Sequence, residues 1–373
     1  MNLPRFRGRL DSANPDPDMP LMHAHRATDP SKPPPKRAPA EDDNRYERAS
    51  ALAEHAPMPA RVGHVLAGTA GWTDPSLIKS HHFYPPEATS AENRLRFYSS
   101  QFPLVEVDSS YYALPSRANA ERWVERTPDG FTFDIKAFAP LTQHPVEPAR
   151  LPSDLKSALP EEILEKPRVY PKDLPDELMT MLWERFVWAI EPLARAGRLG
   201  CVLLQFPPWF AATQHNARYI EECRTRLGHH RMAVELRHAS WGERDRLARL
   251  AALLRDIEAS YVIVDEPQGK RNSMPPAVIV ADPRLAVVRF HGRRSETWGV
   301  RASVMEKYDY IYDREELDPW ARTVERLAEE AREVHTVFNN CVSNYAVLGA
   351  KGLMALVAGN APRRLRTHRR RDS

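Results

Sequence analysis

The sequence predicts a single (β/α)8 barrel, and three observations predict it. Eight short runs are rich in β-branched and apolar residues, helical periodicity fills the segments between them, and charges gather at the ends of the runs. The runs lie at 62–70, 104–108, 131–136, 199–205, 232–237, 261–265, 286–291 and 334–339. Helical candidates, with apolar residues three or four apart, lie at 91–101, 117–126, 176–196, 216–227, 243–256, 315–332 and 345–358. The helix expected after the sixth run is replaced by 269–283, a stretch rich in Pro and polar residues that reads as a loop. An open doubly wound sheet is the alternative, but Gly68-Thr69-Ala70-Gly71-Trp72 lacks the GxGxxG spacing expected after its first strand. No repeat of fixed period points to a solenoid.

A barrel of this kind takes about 250 residues, and the chain has 373. The surplus is assigned to the flanks and one loop. Residues 1–61 carry Ser31-Lys32-Pro33-Pro34-Pro35-Lys36-Arg37 and Glu41-Asp42-Asp43-Asn44-Arg45, and read as a disordered, Pro-rich extension. The barrel is expected over 62–360, and 361–373 forms an arginine-rich tail. Residues 137–175 hold eight prolines and little periodicity. They read as a long excursion on the C-terminal face, in the position of a lid.

With 53 basic and 50 acidic residues the net charge is +3, an excess that the tail accounts for without a basic nucleic-acid-binding face. Cys201, Cys223 and Cys341 are odd in number and far apart, which argues against a disulfide framework or a thiolate metal site and for a reducing compartment. Neither an export signal nor a run of about 18 apolar residues is present, so a cytoplasmic protein is expected, with no membrane partner.

Side chains two apart share a face of a strand, so charge placement can be read directly. Glu106 and Asp108 alternate with Val105 and Val107; Asp134 and Lys136 with Phe133 and Ile135; Glu235 and Arg237 with Val234 and Leu236; Arg289 and His291 with Val288 and Phe290. The apolar set must meet the helices, which turns the charged set inward. Gln205, Asp265 and Asn339 extend that polar face on the fourth, sixth and eighth runs. Most of these residues stand at the C-terminal ends of their strands, where barrels carry active sites. Buried charges in such number require a mutual ion network, a charged ligand, or both.

The motifs also resemble a family. Gly68-Thr69-Ala70-Gly71-Trp72, Phe83-Tyr84-Pro85, the segment from Val105 to Pro115, Trp123, Thr127 to Ala137, Gln205-Phe206-Pro207-Pro208, Val234 to Arg237 with Ser240-Trp241, Arg289-Phe290-His291-Gly292 and Phe338-Asn339-Asn340 are similar, in order and spacing, to the YecE-like proteins, domain-of-unknown-function family 72. The resemblance covers about 62–358 and implies a TIM-type barrel, a relation to sugar isomerases and a likeness to barrel endonucleases that cut at abasic sites. Two departures stand out. Asp108 replaces the family's asparagine, and Thr142-Gln143-His144-Pro145 is one residue longer than the usual Thr-His, with His144 in the position of that histidine.

The charged mouth suits an enzyme acting on a small phosphorylated or carboxylated substrate. Lys136, Arg237 and Arg289 would hold the anion; Glu106 or Glu235 would serve as general acid or base, with Asp265 beside them and His291 moving the proton. Gln205, Asn339, Asn340, Trp72, Asp108 and His144 complete the expected substrate contacts. No cofactor is expected. A second reading adds a divalent ion, magnesium or manganese before zinc, on Glu106, Asp108, Glu235, Asp265 and His291, although the three cations oppose it. A third is a non-catalytic nucleic-acid- or protein-binding module using Trp72, Trp209, Trp241 and Trp298 as stacking faces and the basic tail for phosphate affinity. Oligomeric state is not legible.

Overall fold

The computed structural model describes residues 40–298 and 303–360. Nine strands follow one another around a sheet: β1 (Arg61–Val62), β2 (Val65–Thr69), β3 (Leu104–Val107), β4 (Thr132–Lys136), β5 (Leu199–Gln205), β6 (Met232–Glu235), β7 (Ala259–Asp265), β8 (Ala286–Phe290) and β9 (Val334–Phe338). β2 to β9 run parallel, and β9 pairs back onto β2, closing an eight-stranded barrel. Closure removes both sheet edges and leaves side chains only two places to go, the interior or the helix layer.

Hydrogen-bonded partners on adjacent strands share a face, so the register assigns every position. Leu104, Glu106, Asp134, Gln205, Glu235, Arg289 and His335 fall on the inner set. Phe133, Ile135, Val234, Phe290 and Phe338 meet the helices, Phe290 stacking on Phe338 at 4.2 Å. Two strand glycines are forced by close approach: a Cβ on Gly68 would stand 2.1 Å from Leu104 O, and one on Gly200 2.2 Å from Asp134 Oδ1. The outer layer is amphipathic. The helix Asp176–Arg195 buries Leu178, Leu182, Trp183, Phe186, Ala189, Ile190 and Leu193, and Asp313 caps Arg314–Glu330 through a reciprocal bond with Glu316.

The expected loop after β7 is present, with no helix between Asp265 and Ala286. Residues 137–175 fold into 3-10 and short α turns pinned by a bridge between Val146 and Val169 and by buried Leu151, Leu155 and Leu159.

Two expectations need correction. The first run is a hairpin, with β1 antiparallel to β2. Of the extension expected over 1–61, residues 40–61 belong to the folded unit, while 1–39, like the basic tail from 361, lie outside the described residues. The helix Ala40–Ala53 buries Ala49, Leu52 and Ala53 against Tyr345–Asn360, and Arg45 reaches Glu316 and, at 3.3 Å, Asp313. Small residues give this stripe a weak periodic signal. The clearer sign lies in its partner: Tyr345–Asn360 is apolar all round, which a helix with one face to water would not be.

Candidate functional site

The interior is organised around Arg289, the largest fully buried side chain among the described residues. Its Nε and Nη2 donate to the two oxygens of Glu106 at 2.8 and 2.6 Å, and Nη1 donates to Glu235 Oε2. Glu235 Oε1 accepts from Gln205 at 2.6 Å and from Arg237 Nε at 2.8 Å, with His291 Nε2 3.2 Å away. Asn339 donates to His291 Nδ1 at 3.1 Å in the tautomer that keeps the ring proton on Nε2. One guanidinium thus joins two carboxylates whose proton affinities diverge. Burial works against ionising Glu235, but Arg289, Arg237 and His291 overcome it and hold that carboxyl well below its usual range. For Glu106, burial outweighs Arg289 and Lys136 and pushes it up to about 7. His291 is driven down to about 3 by burial and by Arg237, so the imidazole is neutral.

Above this layer the mouth is basic and aromatic. Lys136 Nζ donates to Asp108 at 2.6 Å and lies 4.6 Å from the centre of the Tyr111 ring. Arg237 sits 5.2 Å from the Trp298 ring, and Tyr308 is buried close enough for Arg237 and Arg289 to act on its hydroxyl. His144 packs edge-on against Tyr111 and Trp209; burial, then Lys136 and Arg237, lower it to about 3. Both cations therefore act on one small region.

The structure corrects the placement of three expected site residues. Asp265 pairs in register with the helix-facing Phe290, so it points outward, accepting from Tyr312 at 2.6 Å and Arg293 Nε at 2.9 Å. Its neighbour takes the interior: Glu266 accepts from Met274 N at 2.7 Å through Oε1, while the buried Oε2 has no hydrogen bond and faces Arg237 Nη1 at 3.7 Å. Burial raises Glu266 to about 8. Asn340 turns away from the mouth and donates to Tyr310 O at 2.7 Å. Trp72 packs edge-on against Trp123, which stacks on the helix-facing Phe133, and Trp241 stacks on Phe210, so neither offers a free face. Glu106, Lys136, Gln205, Glu235, Arg237, Arg289, His291 and Asn339 are brought together, with Asp108 and His144 at the rim.

Sequence reasoning missed Glu266 and Tyr308, and a second lattice near the N-terminal end of the barrel. There His335 Nδ1 donates to Asp134 Oδ2 at 2.9 Å, Cys201 N donates to Asp134 Oδ1 at 3.0 Å, and Arg231 donates to Glu333 at 2.7 Å. His335 was detectable, since it alternates with Val334 and Thr336 as the charged residues do elsewhere. Among the described residues, the groups of three side chains able to converge on a metal ion are Asp134, Cys201, His335 and Glu191, His229, His230, neither of them at the mouth.

A closed ring of eight parallel strands surrounded by helices defines a TIM-type barrel, the class whose sites lie at the strand C-termini. The chain matches, over residues 66–371, the family described as "Protein of unknown function DUF72", and it belongs to that family. It is 29% identical over 309 residues to the UPF0759 protein YunF of Bacillus subtilis (strain 168), covering 81% of this chain and 99% of that one. The crystal structure of a DUF72 family protein from Thermotoga maritima MSB8 is similar at a TM-score of 0.62 and 26% identity, over 79% of this chain and 99% of that one. Another from Enterococcus faecalis V583 is similar at 0.63 and 24% identity, over 79% and 95%. Among the described residues no helix is long and apolar enough to cross a membrane.

Proposed function

We propose that the mouth binds a small phosphorylated or carboxylated molecule and moves a proton on it by general acid–base chemistry. The observation that carries this reading is Glu266: a buried acid, raised to about 8, whose Oε2 has no hydrogen-bond partner and faces a guanidinium beneath Trp298. At neutral pH such a group is a proton donor beside a cation that would hold an anion. Lys136 supplies the second cation. Among the described residues its ammonium has one hydrogen-bonding carboxylate, Asp108, and two donors remain for a ligand oxygen. Glu106, raised to about 7, is the second group able to exchange a proton near neutrality, and Glu235 holds Arg237 and Arg289 in place. Tyr111, Trp209, Trp298 and Tyr308 give the mouth apolar walls for the rest of the molecule.

Native mass spectrometry of the purified chain, compared with Lys136→Ala, tests the reading. A small anionic molecule retained by the wild type and lost from the variant supports it. Failure of the wild type to retain any anion, together with no thermal shift in inorganic phosphate or citrate, refutes it.

A further inference from the structure

A second polar cleft, of about 320 Å³, opens near the other end of the barrel. It is lined by Glu191 and Arg195 from the last turns of Asp176–Arg195, Leu199 at the start of β5, and His229, His230 and Arg231 in the turn entering β6. We propose that Glu191, His229 and His230 form a binding site for one divalent transition-metal ion of the zinc class, distinct from the charged mouth.

The donor geometry suits one ion. One ligand atom from each residue can be chosen so that all three lie within 4.8 Å of one another. His230 Nε2 and Glu191 Oε2 stand 3.6 Å apart, too far for a hydrogen bond. Two donors each about 2.0–2.1 Å from a tetrahedral zinc are separated by about 3.3 Å, so small side-chain rotations close the set. An independent sign points the same way. His230 is only 4% exposed, and its Nε2 is buried with no hydrogen-bond partner. Buried polar atoms are seldom left so, because losing water without a replacement partner costs about 1–3 kcal/mol.

Two of the surrounding cations are turned to other partners: Arg231 donates to Glu333, and Arg224 donates to the carbonyls of Gly228 and His230. The third, Arg195, donates through Nε to Glu191 Oε1 at 3.1 Å and leaves Oε2 on the His230 side. His229 is exposed, so an ion can reach the site and keep a water as fourth ligand. Two nitrogens and one carboxylate favour zinc, nickel or copper over magnesium or calcium. The other trio is closed instead: Asp134 already accepts from His335 and Cys201 N, burial raises the Cys201 thiol well above its usual range, and Gly200 leaves no room for even a Cβ.

The test titrates zinc chloride into the chelator-stripped full chain by calorimetry, alongside His229→Ala and Glu191→Gln. Both substitutions leave the barrel core untouched. The expected result is one site in the wild type whose affinity falls at least tenfold in each variant, with a zinc-dependent rise in melting temperature that both variants lose. A wild type that binds no zinc, or either variant binding as the wild type does, overturns the proposal. Retention of an anion at the Lys136 face is measured separately, so the two readings fail independently.

Discussion

Replacing Arg289 by methionine tests the central lattice. The substitution removes three hydrogen bonds from two fully buried carboxylates. Glu235 keeps Gln205, Arg237 and His291 and stays ionised and paired. Glu106 loses the partner of both its oxygens. Stranding one member of a buried pair costs about 3–5 kcal/mol, a large part of the 5–15 kcal/mol that typically holds a protein folded. Glu106 can escape by taking a proton, which gives the loss a pH dependence of definite sign. Its folded value, about 7, already lies above the ordinary 4.5. An acid raised on folding contributes stability that is full below 4.5 and fades as pH rises through 7. Without Arg289 that value rises further, so the penalty should grow by up to about 1.4 kcal/mol between pH 5 and pH 8, the worth of the one unit by which pH 8 exceeds 7. Urea unfolding followed by circular dichroism at pH 5, 6.5 and 8 measures it. The double variant Arg289→Met/Glu106→Leu should regain most of the loss at pH 8, because no charge is left stranded. A penalty below about 1 kcal/mol at pH 8, or one equal at pH 5 and 8, would refute the reasoning.

The second lattice carries its own pH signature. Burial opposes the charge on His335, but Asp134 and Glu333 prevail and raise it to about 9, so its stabilisation is full below pH 6.5 and disappears as pH climbs through 9. Melting curves across that window should flatten in His335→Gln. Asp108→Asn should free the Lys136 ammonium and tighten binding of inorganic phosphate by roughly fivefold, the worth of about 1 kcal/mol, whereas Lys136→Met should abolish it; calorimetry separates the two. Gly200→Ala should cost about 1–3 kcal/mol in unfolding free energy, since its methyl group meets Asp134, Thr132 and His335 side chains within 3 Å.

The interior face was legible wherever a strand alternates. In β3, β4, β6 and β8 each charged residue stands between apolar ones, and the structure turns Glu106, Asp134, Lys136, Glu235 and Arg289 into the barrel as that pattern requires. β7 carries no such mark. Tyr261 to Val264 are apolar without interruption, as in any strand buried on both sides, so the acids after them could belong to either face. Register with β8 then sends Asp265 to Tyr312 and leaves the interior to Glu266. The rim was hidden for another reason. Tyr308 reaches the mouth from Val304–Tyr308, a five-residue helix in the connection after β8 that is too short for a periodic pattern to place its side chain.

By itself, then, the sequence determined the eight strands of the closed ring, their parallel order and the kind of residue that fills the barrel, because periods of 2 and 3.6 are set by backbone geometry alone. Only the tertiary structure decided that Glu106 and Glu235 share one arginine, that Ala40–Ala53 covers Tyr345–Asn360, and that His230 lies beside Glu191. Those are contacts between segments far apart in the chain, and whether a buried charge or imidazole finds its partner depends on closure of the ring, which no single segment specifies.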